Sequence, residues 1–136
     1  PSDRGRRNAD TARVAAPNAA VKEAAWNAIR NDADASLFDL RAKMHGFFFW
    51  HQRELTAPYA DRFFDEVGDI FRFKTKDFAT TYFASLYPHH LPTNKTTERT
   101  ESLIESLSDE DLMLKRSLRE ALDELRRARA CRACTY

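Results

Sequence analysis

The chain has 136 residues, of which 43% are hydrophobic and 32% are charged, and its 22 basic and 21 acidic residues leave a net charge of +1. This length fits one domain with its own core, and the charge balance argues against binding to nucleic acid or an anionic membrane. No apolar run approaches the roughly 20 residues that span a bilayer. The two cysteines, Cys131 and Cys134, lie beside the C-terminus and form no disulfide framework. We therefore expect a reducing, cytoplasmic location.

Seven helical segments are predicted, and the first covers about residues 4–15 and ends before Pro17. The second ends at Asn31 and Asp32. Its predicted apolar face consists of Val21, Ala24, Ala25, Ala28 and Ile29. The third is capped by Asp34 and ends at Gly46, which suits a C-terminal turn. Its predicted apolar face consists of Leu37, Leu40, Met44 and Phe47.

Prolines and capping residues mark the later helices. Pro58 is predicted in the first turn of the fourth helix, Pro88 ends the fifth, and a loop follows at residues 89–94. Thr96 or Thr97 is predicted to cap the sixth, and residues 108–111 form a capping-box pattern before the seventh. The predicted apolar faces are Tyr59, Phe63, Val67, Ile70 and Phe71; Phe78, Tyr82, Phe83 and Leu86; Leu103, Ile104 and Leu107; and Leu114, Leu118, Leu122 and Leu125.

The fold class follows from the shortness of these helices. With only 3 glycines and 5 prolines, the composition favours helices over a turn-rich β sandwich. Short helices with one apolar face each predict an all-α fold of antiparallel helix pairs, stacked as a HEAT/ARM-like α-solenoid fragment. No clean sequence repeat is visible. We expect residues 1–136 to form a single helical domain, and the missing initiator methionine suggests that it was excised from a longer protein.

The histidines do not form a recognisable metal site. A zinc-binding His-Glu-x-x-His motif places two histidines one helical turn apart. His45 and His51 are six residues apart, and His89 and His90 are adjacent in a loop. The cysteines form a Cys-x-x-Cys after the C-terminal end of a long helix, where the helix dipole disfavours a thiolate. We therefore predict that this chain binds no metal.

The remaining reactive and aromatic residues also lack a catalytic arrangement. Ser36, Ser85 and Ser102 lack the Gly-x-Ser-x-Gly setting of a nucleophile. The aromatic residues between positions 47 and 87 are interpreted as core, with a hydrophobic ligand groove or an interdomain contact as alternatives. The arginines near both ends are interpreted as a solvated face because acidic residues lie nearby, with phosphate binding as the alternative.

Several stretches carry a family resemblance through their joint order. They are residues 3–13, Val-Lys-Glu-Ala-Ala-Trp-Asn-Ala-Ile at 21–29, Gly-Phe at 46–47, and Gln-Arg-Glu-Leu-Thr-Ala-Pro-Tyr-Ala-Asp-Arg-Phe-Phe at 52–64. An Arg-x-Leu-Arg helix with a following Ala-Leu completes the pattern near the end. Together they resemble the C-terminal helical domain of the M1 zinc aminopeptidases, in particular the actinobacterial aminopeptidase N type. The resemblance extends over nearly the whole chain, although none of these stretches is a catalytic signature.

The resemblance implies a full-length zinc enzyme that removes N-terminal amino acids from peptides, with zinc held by two histidines and a glutamate outside this chain. It implies that this segment carries no catalytic residues and is a HEAT-like domain that encloses the active-site chamber and restricts access to it. The implied partners are the catalytic domain of the same chain and peptide substrates. His89, His90 and the two cysteines depart from the family pattern and inherit no role.

Four basic residues are the candidates for substrate binding. A basic lining of the chamber would attract the C-terminal carboxylate of a peptide, and we predict this role for Arg4, Arg6, Arg7 and Lys22. The competing hypothesis is a free-standing helical-repeat module that binds a protein segment in its groove. A nucleic-acid binder that uses the terminal arginines is a third hypothesis, which predicts steep salt dependence and conflicts with the net charge.

Overall fold

The computed structural model describes residues 2–32, 34–48 and 52–134, with side chains up to residue 131. The described part contains α-helices and short 3₁₀ segments but no β-strand, so the all-α prediction is confirmed there. The helices are α1 (Asp3–Val14), α2 (Ala19–Asn31), α3 (Leu37–His45), α4 (Arg53–Phe73), α5 (Lys76–Leu86), α6 (Asn94–Ser106) and α7 (Leu112–Cys134), and the 3₁₀ helix is Asp109–Asp111. None of the described helices is both long enough and apolar enough to cross a membrane.

The cap of α3 differs from the prediction. Ser36, not Asp34, is the N-cap, and its hydroxyl accepts a hydrogen bond from the backbone N–H of Asp39 at 3.1 Å. The backbone N–H of Asp34 donates instead to the carboxylate of Asp32, also at 3.1 Å. In this local turn an aspartate accepts a hydrogen bond from the N–H two residues later. The helix is therefore capped by the hydroxyl of Ser36 instead of by Asp34.

Helix α4 begins at Arg53, so the prediction that Pro58 lies in its first turn is wrong. The start of the helix is held by contacts that the sequence pattern does not show. The Gln52 side chain donates to the carbonyl oxygen of Ala15 at 2.7 Å, and the buried hydroxyl of Thr56 donates to the carbonyl oxygen of Gln52 at 3.0 Å. An interior proline removes one backbone hydrogen bond, and these contacts offset that loss.

The starts of α6 and α7 also differ from the predictions. Thr93 caps α6 by accepting from the N–H of Thr96 at 3.2 Å, in place of the two threonines predicted. The buried residues of α6 are Thr96, Thr97 and Thr100, whereas its predicted apolar face is only partly buried. Ser108 makes no capping hydrogen bond, because residues 109–111 form the 3₁₀ helix and α7 begins after it.

The helices form two layers around an aromatic core. α3 packs between α1 and α5, α4 packs against α5 and α6, and α6 packs against α7. α2 contacts α1 and α3 and is hydrogen-bonded to α4. The largest buried aromatic side chains are Trp26, Phe47, Phe63, Tyr82 and Tyr87, each at most 1% exposed. The core interpretation is confirmed for these residues but is wrong for Phe73, which is 80% exposed. Residues 49 and 50 lie outside the described part.

Candidate functional site

Lys22 lies on the core-facing side of α2. The buried residues of this helix are Lys22, Ala25, Trp26 and Ile29. Their spacing of three and four residues defines one helical face, whereas Ala24, predicted to be on the apolar face, is exposed. The apolar pattern predicted a core face that begins about one residue before the observed one, because a lysine is not counted as a core residue in such a pattern.

The side chain of Lys22 is 0% exposed and ends at the turn that follows α3. Its Nζ donates to the carbonyl oxygens of Phe47 at 2.6 Å and of Gly46 at 3.2 Å. Burial lowers the pKa of Lys22 to about 8, so the amine is mostly protonated at neutral pH. Because a buried charge needs polar partners and both partners here are backbone carbonyls, Lys22 fastens α2 to the end of α3.

Gly46, the C-cap of α3, lies close to the backbone of α1. A Cβ atom at this position would lie 2.2 Å from the carbonyl oxygen of Thr11. The backbone of Gly46 has a φ of −86°, so this contact, rather than a left-handed conformation, requires glycine. The hydroxyl of Thr11 also donates to the carbonyl oxygen of Ala42 at 2.8 Å. The position of α1 on α3 is thus fixed by contacts to backbone carbonyl oxygens of both helices.

The other three candidate residues lie on the surface of α1. Arg4 is exposed. Arg6 Nη2 and Arg7 Nε donate to the same carboxylate oxygen of Asp39, at 3.2 and 3.0 Å. The hydrogen bond from Arg7 is the largest of the effects that hold the pKa of Asp39 below its usual range. The structure therefore brings Arg6 and Arg7 together and places Lys22 in the core.

A polar cleft of about 280 Å³ opens between α1 and α3 beside this carboxylate. It is lined by Arg6, Arg7, Asp10, Arg13, Asp32, Ala35, Asp39 and Lys43. Asp10 accepts a hydrogen bond from Lys43 and forms an ion pair with Arg13 at 2.9 Å. Four basic and three acidic side chains line the cleft, and this excess of positive charge suits an anionic group.

Residues 1–127 match the family described as the ERAP1-like C-terminal domain. The chain belongs to this family. It is also 30% identical over 124 residues to an Aminopeptidase N from Streptomyces lividans, and this match covers 91% of the chain but 14% of that protein. The resemblance drawn from the sequence is thus confirmed for a C-terminal domain of an aminopeptidase, and the chain spans about a seventh of the relative's length.

The loop histidines of this ERAP1-like domain contact other groups, and no group of three side chains that could hold a metal ion occurs among the described residues. His89 Nδ1 lies 3.7 Å from the carboxylate of Glu124. The His90 ring packs on Phe48 with centroids 4.6 Å apart. Burial is the main cause that lowers the pKa of both histidines, and Glu124 opposes it at His89. His51 lies outside the described residues.

The C-terminal cysteines and arginines of the domain lie on α7. The Cys-x-x-Cys was predicted to follow the helix. Because α7 extends to Cys134, the motif lies in the last turns of the helix instead, and this prediction is wrong. Cys131 is exposed, and the side chain of Cys134 is outside the described part. Arg126 pairs with Glu101 at 3.0 Å, which agrees with a solvated face.

A network of hydrogen bonds and ion pairs around Glu66 was not predicted from the sequence. Its carboxylate accepts a hydrogen bond from Trp26 Nε1 at 2.7 Å and pairs with Arg30 at 2.6 Å. The nearby hydroxyl of Tyr82 is buried and has no hydrogen-bond partner among the described residues. Trp26 and Glu66 are 40 residues apart in sequence, so no local spacing could have paired them. This network joins α2 to α4.

Proposed function

We propose that this chain is the C-terminal domain of a zinc-dependent M1 aminopeptidase that removes N-terminal amino acids from peptides. The match of residues 1–127 to the ERAP1-like C-terminal domain family supports the proposal. The proposal rests mainly on the 30% identity to an Aminopeptidase N, because proteins with a helical fold have many different functions.

The zinc and the catalytic residues belong to the rest of the proposed polypeptide. The described part of this chain has no group of three His, Cys, Asp or Glu side chains that could hold a metal ion, so these residues do not fit a zinc site. The contribution that we propose for this chain is to position and enclose the peptide. The proposed partner is the catalytic domain of the same polypeptide, and the proposed location is the cytoplasm.

The two-layer packing supports a HEAT/ARM-like α-solenoid as the wider architecture. Helices α1, α3 and α5 lie side by side, and α4 and α6 pack together in the second layer. Stacked helix pairs of this kind build curved, extended surfaces. A curved wall over the catalytic domain would enclose the active-site chamber, exclude folded proteins, and hold a peptide near the reacting groups.

The surface of α1 is the proposed site for the C-terminal carboxylate of the peptide. Arg4 and Arg6 are exposed, and the side chain of Arg7 is 33% exposed. Arg6 and Arg7 already hold the carboxylate of Asp39, and each guanidinium has further N–H donors for a second one. Lys22 is buried, so it supports this site only as a positioning residue, through the turn that it holds.

Steady-state kinetics of the full-length protein test the proposal. The Arg4→Ala/Arg6→Ala variant should raise KM for short peptides about three- to tenfold, because charge-assisted hydrogen bonds to the carboxylate are lost. KM for a chromogenic aminoacyl amide, which has no C-terminal carboxylate, should stay unchanged. Arg116→Ala, at an exposed position on α7, is the matched control.

Two results would contradict different parts of the proposal. Equal changes in KM for the peptide and the amide would exclude carboxylate binding by α1. A full-length protein that contains no zinc and cleaves neither substrate would exclude the aminopeptidase function itself.

A further inference from the structure

Large apolar side chains are exposed at one edge of the domain, where α4 ends and α7 begins. Phe73 is 80% exposed, Leu112 is 66% exposed, and Met113 is 43% exposed. Phe71 is only partly buried and lines one groove with Leu112 and Met113, and Phe73 is the last residue of the same helix. We call these four residues the α4–α7 patch. Exposed apolar side chains are normal when they are scattered, but a contiguous group marks an interaction site.

A groove of about 240 Å³ crosses the α4–α7 patch. Phe71, Leu112 and Met113 line it together with Ala79 and Leu114, which belong to the buried core. The groove therefore leads from the exposed edge down to the core between α4, α5 and α7. An apolar side chain inserted there would continue the packing of the core.

Opposite charges border this groove, Lys76 at the start of α5 and Glu110 in the 3₁₀ helix. Within the described ranges, neither side chain has an ion-pair partner, whereas their neighbours do. Arg72 pairs with Asp111 at 3.5 Å, and Lys115 pairs with Asp109 at 3.4 Å. The groove thus suits an apolar ridge that carries an acidic group opposite Lys76 and a basic group opposite Glu110.

We propose that the α4–α7 patch is the surface on which the rest of the parent polypeptide docks. This inference rests on the proposed function. The segment that matches the chain makes up 14% of the Streptomyces lividans relative, so a parent of similar length has a large body of protein that can cover the patch. Docking there would set the orientation of this domain relative to the catalytic domain.

Limited proteolysis of the full-length parent tests the docking surface. The Phe73→Ser/Leu112→Ser variant should be cleaved about tenfold faster or more between this domain and the preceding part, since two apolar side chains lose their buried contacts. Both positions are more than 60% exposed within the domain, so the substitutions leave its own core intact. Phe38→Ser is the matched control, because Phe38 is 64% exposed on α3, outside the patch.

Cross-linking of the same parent protein identifies the occupant. An amine-reactive reagent should link Lys76 to lysines outside residues 1–136 of the same molecule. Links from Lys76 only to a second, isotopically labelled copy would overturn the inference in favour of a dimer. Cleavage of the patch variant at the rate of the Phe38→Ser control would overturn it as well.

The two proposals fail in different ways. A parent protein with the expected cross-links and proteolysis but without aminopeptidase activity would keep the docking surface and reject the function. An active aminopeptidase with a patch variant that behaves like the control would keep the function and reject the docking surface.

Discussion

Buried polar contacts hold the α1–α3 end of the domain together, whereas apolar side chains attach α7. At the first end, side chains of Thr11, Lys22 and Gln52 donate to backbone carbonyl oxygens of other segments. The inward stripe of α7 consists of Leu114, Leu118, Leu122 and Leu125, each at most 7% exposed. The stabilisation from a hydrogen bond depends on the positions of a few atoms. The stabilisation from apolar burial depends on the buried area and tolerates substitutions of similar volume. The α1–α3 end should therefore be the more sensitive to small substitutions.

Gly46→Ala should have the largest effect on stability. The added Cβ would lie 2.2 Å from a backbone carbonyl oxygen of α1, so α1 and α3 must separate. We expect the free energy of unfolding to fall by about 3 kcal/mol or more. Urea unfolding of the chain, followed by far-ultraviolet circular dichroism, measures the change.

Two controls define the contrast with that result. Leu118→Met conserves volume in the α7 stripe and should reduce stability by less than about 1.5 kcal/mol. Gly68→Ala adds a Cβ with nothing within 4 Å in the middle of α4, and should stabilise the chain by about 0.5–1 kcal/mol. A Gly46→Ala variant as stable as Leu118→Met would remove the proposed difference between the two regions.

Lys22→Met should reduce stability by about 2 kcal/mol at neutral pH, because it leaves the carbonyl oxygens of Gly46 and Phe47 without their donor.

The Lys22→Met variant should also change how the free energy of unfolding depends on pH. Burial lowers the pKa of Lys22 to about 8 from 10.5, so between these values the unfolded chain binds more protons and wild-type stability rises with pH. The rise should end near pH 10, since buried Tyr59, whose pKa is raised to about 12, opposes it above that point. Urea unfolding at a series of pH values should show this rise in the wild type and not in Lys22→Met, and the same rise in both would contradict it.

The same comparison explains what the sequence could predict. The stripe of α7 was predicted in full because its four leucines recur every three or four residues. The core face of α2 was misplaced because Lys22 occupies a buried position, where a charged residue is seldom found. For the candidate site, residue type identified Arg6 and Arg7, but their meeting at Asp39 joins positions 32 and 33 residues apart. No local pattern encodes such a contact, because it depends on how α1 packs against α3.

Ser36→Ala should have a smaller effect and decides which residue caps α3. Removing the hydroxyl that accepts from the N–H of Asp39 should reduce stability by about 1 kcal/mol. Asp34→Ala is the matched control, because the Asp34 side chain does not cap the helix. Urea unfolding of both variants measures the difference, and a larger loss for Asp34→Ala would restore the cap predicted from the sequence.

The adjacent loop histidines should produce the smallest effect, a loss of stability on acidification. Burial lowers the pKa of both below 6.5, so the unfolded chain binds more protons and stability falls as the pH drops below that value. His90 should contribute more than His89, because Arg53 and His89 lower its pKa further, whereas Glu124 raises that of His89. Unfolding measured between pH 7 and about 5, above the range where carboxylates titrate, should show a flatter slope for His90→Gln than for His89→Gln. The opposite order would mean that the carboxylate of Glu124 does not offset the burial of His89.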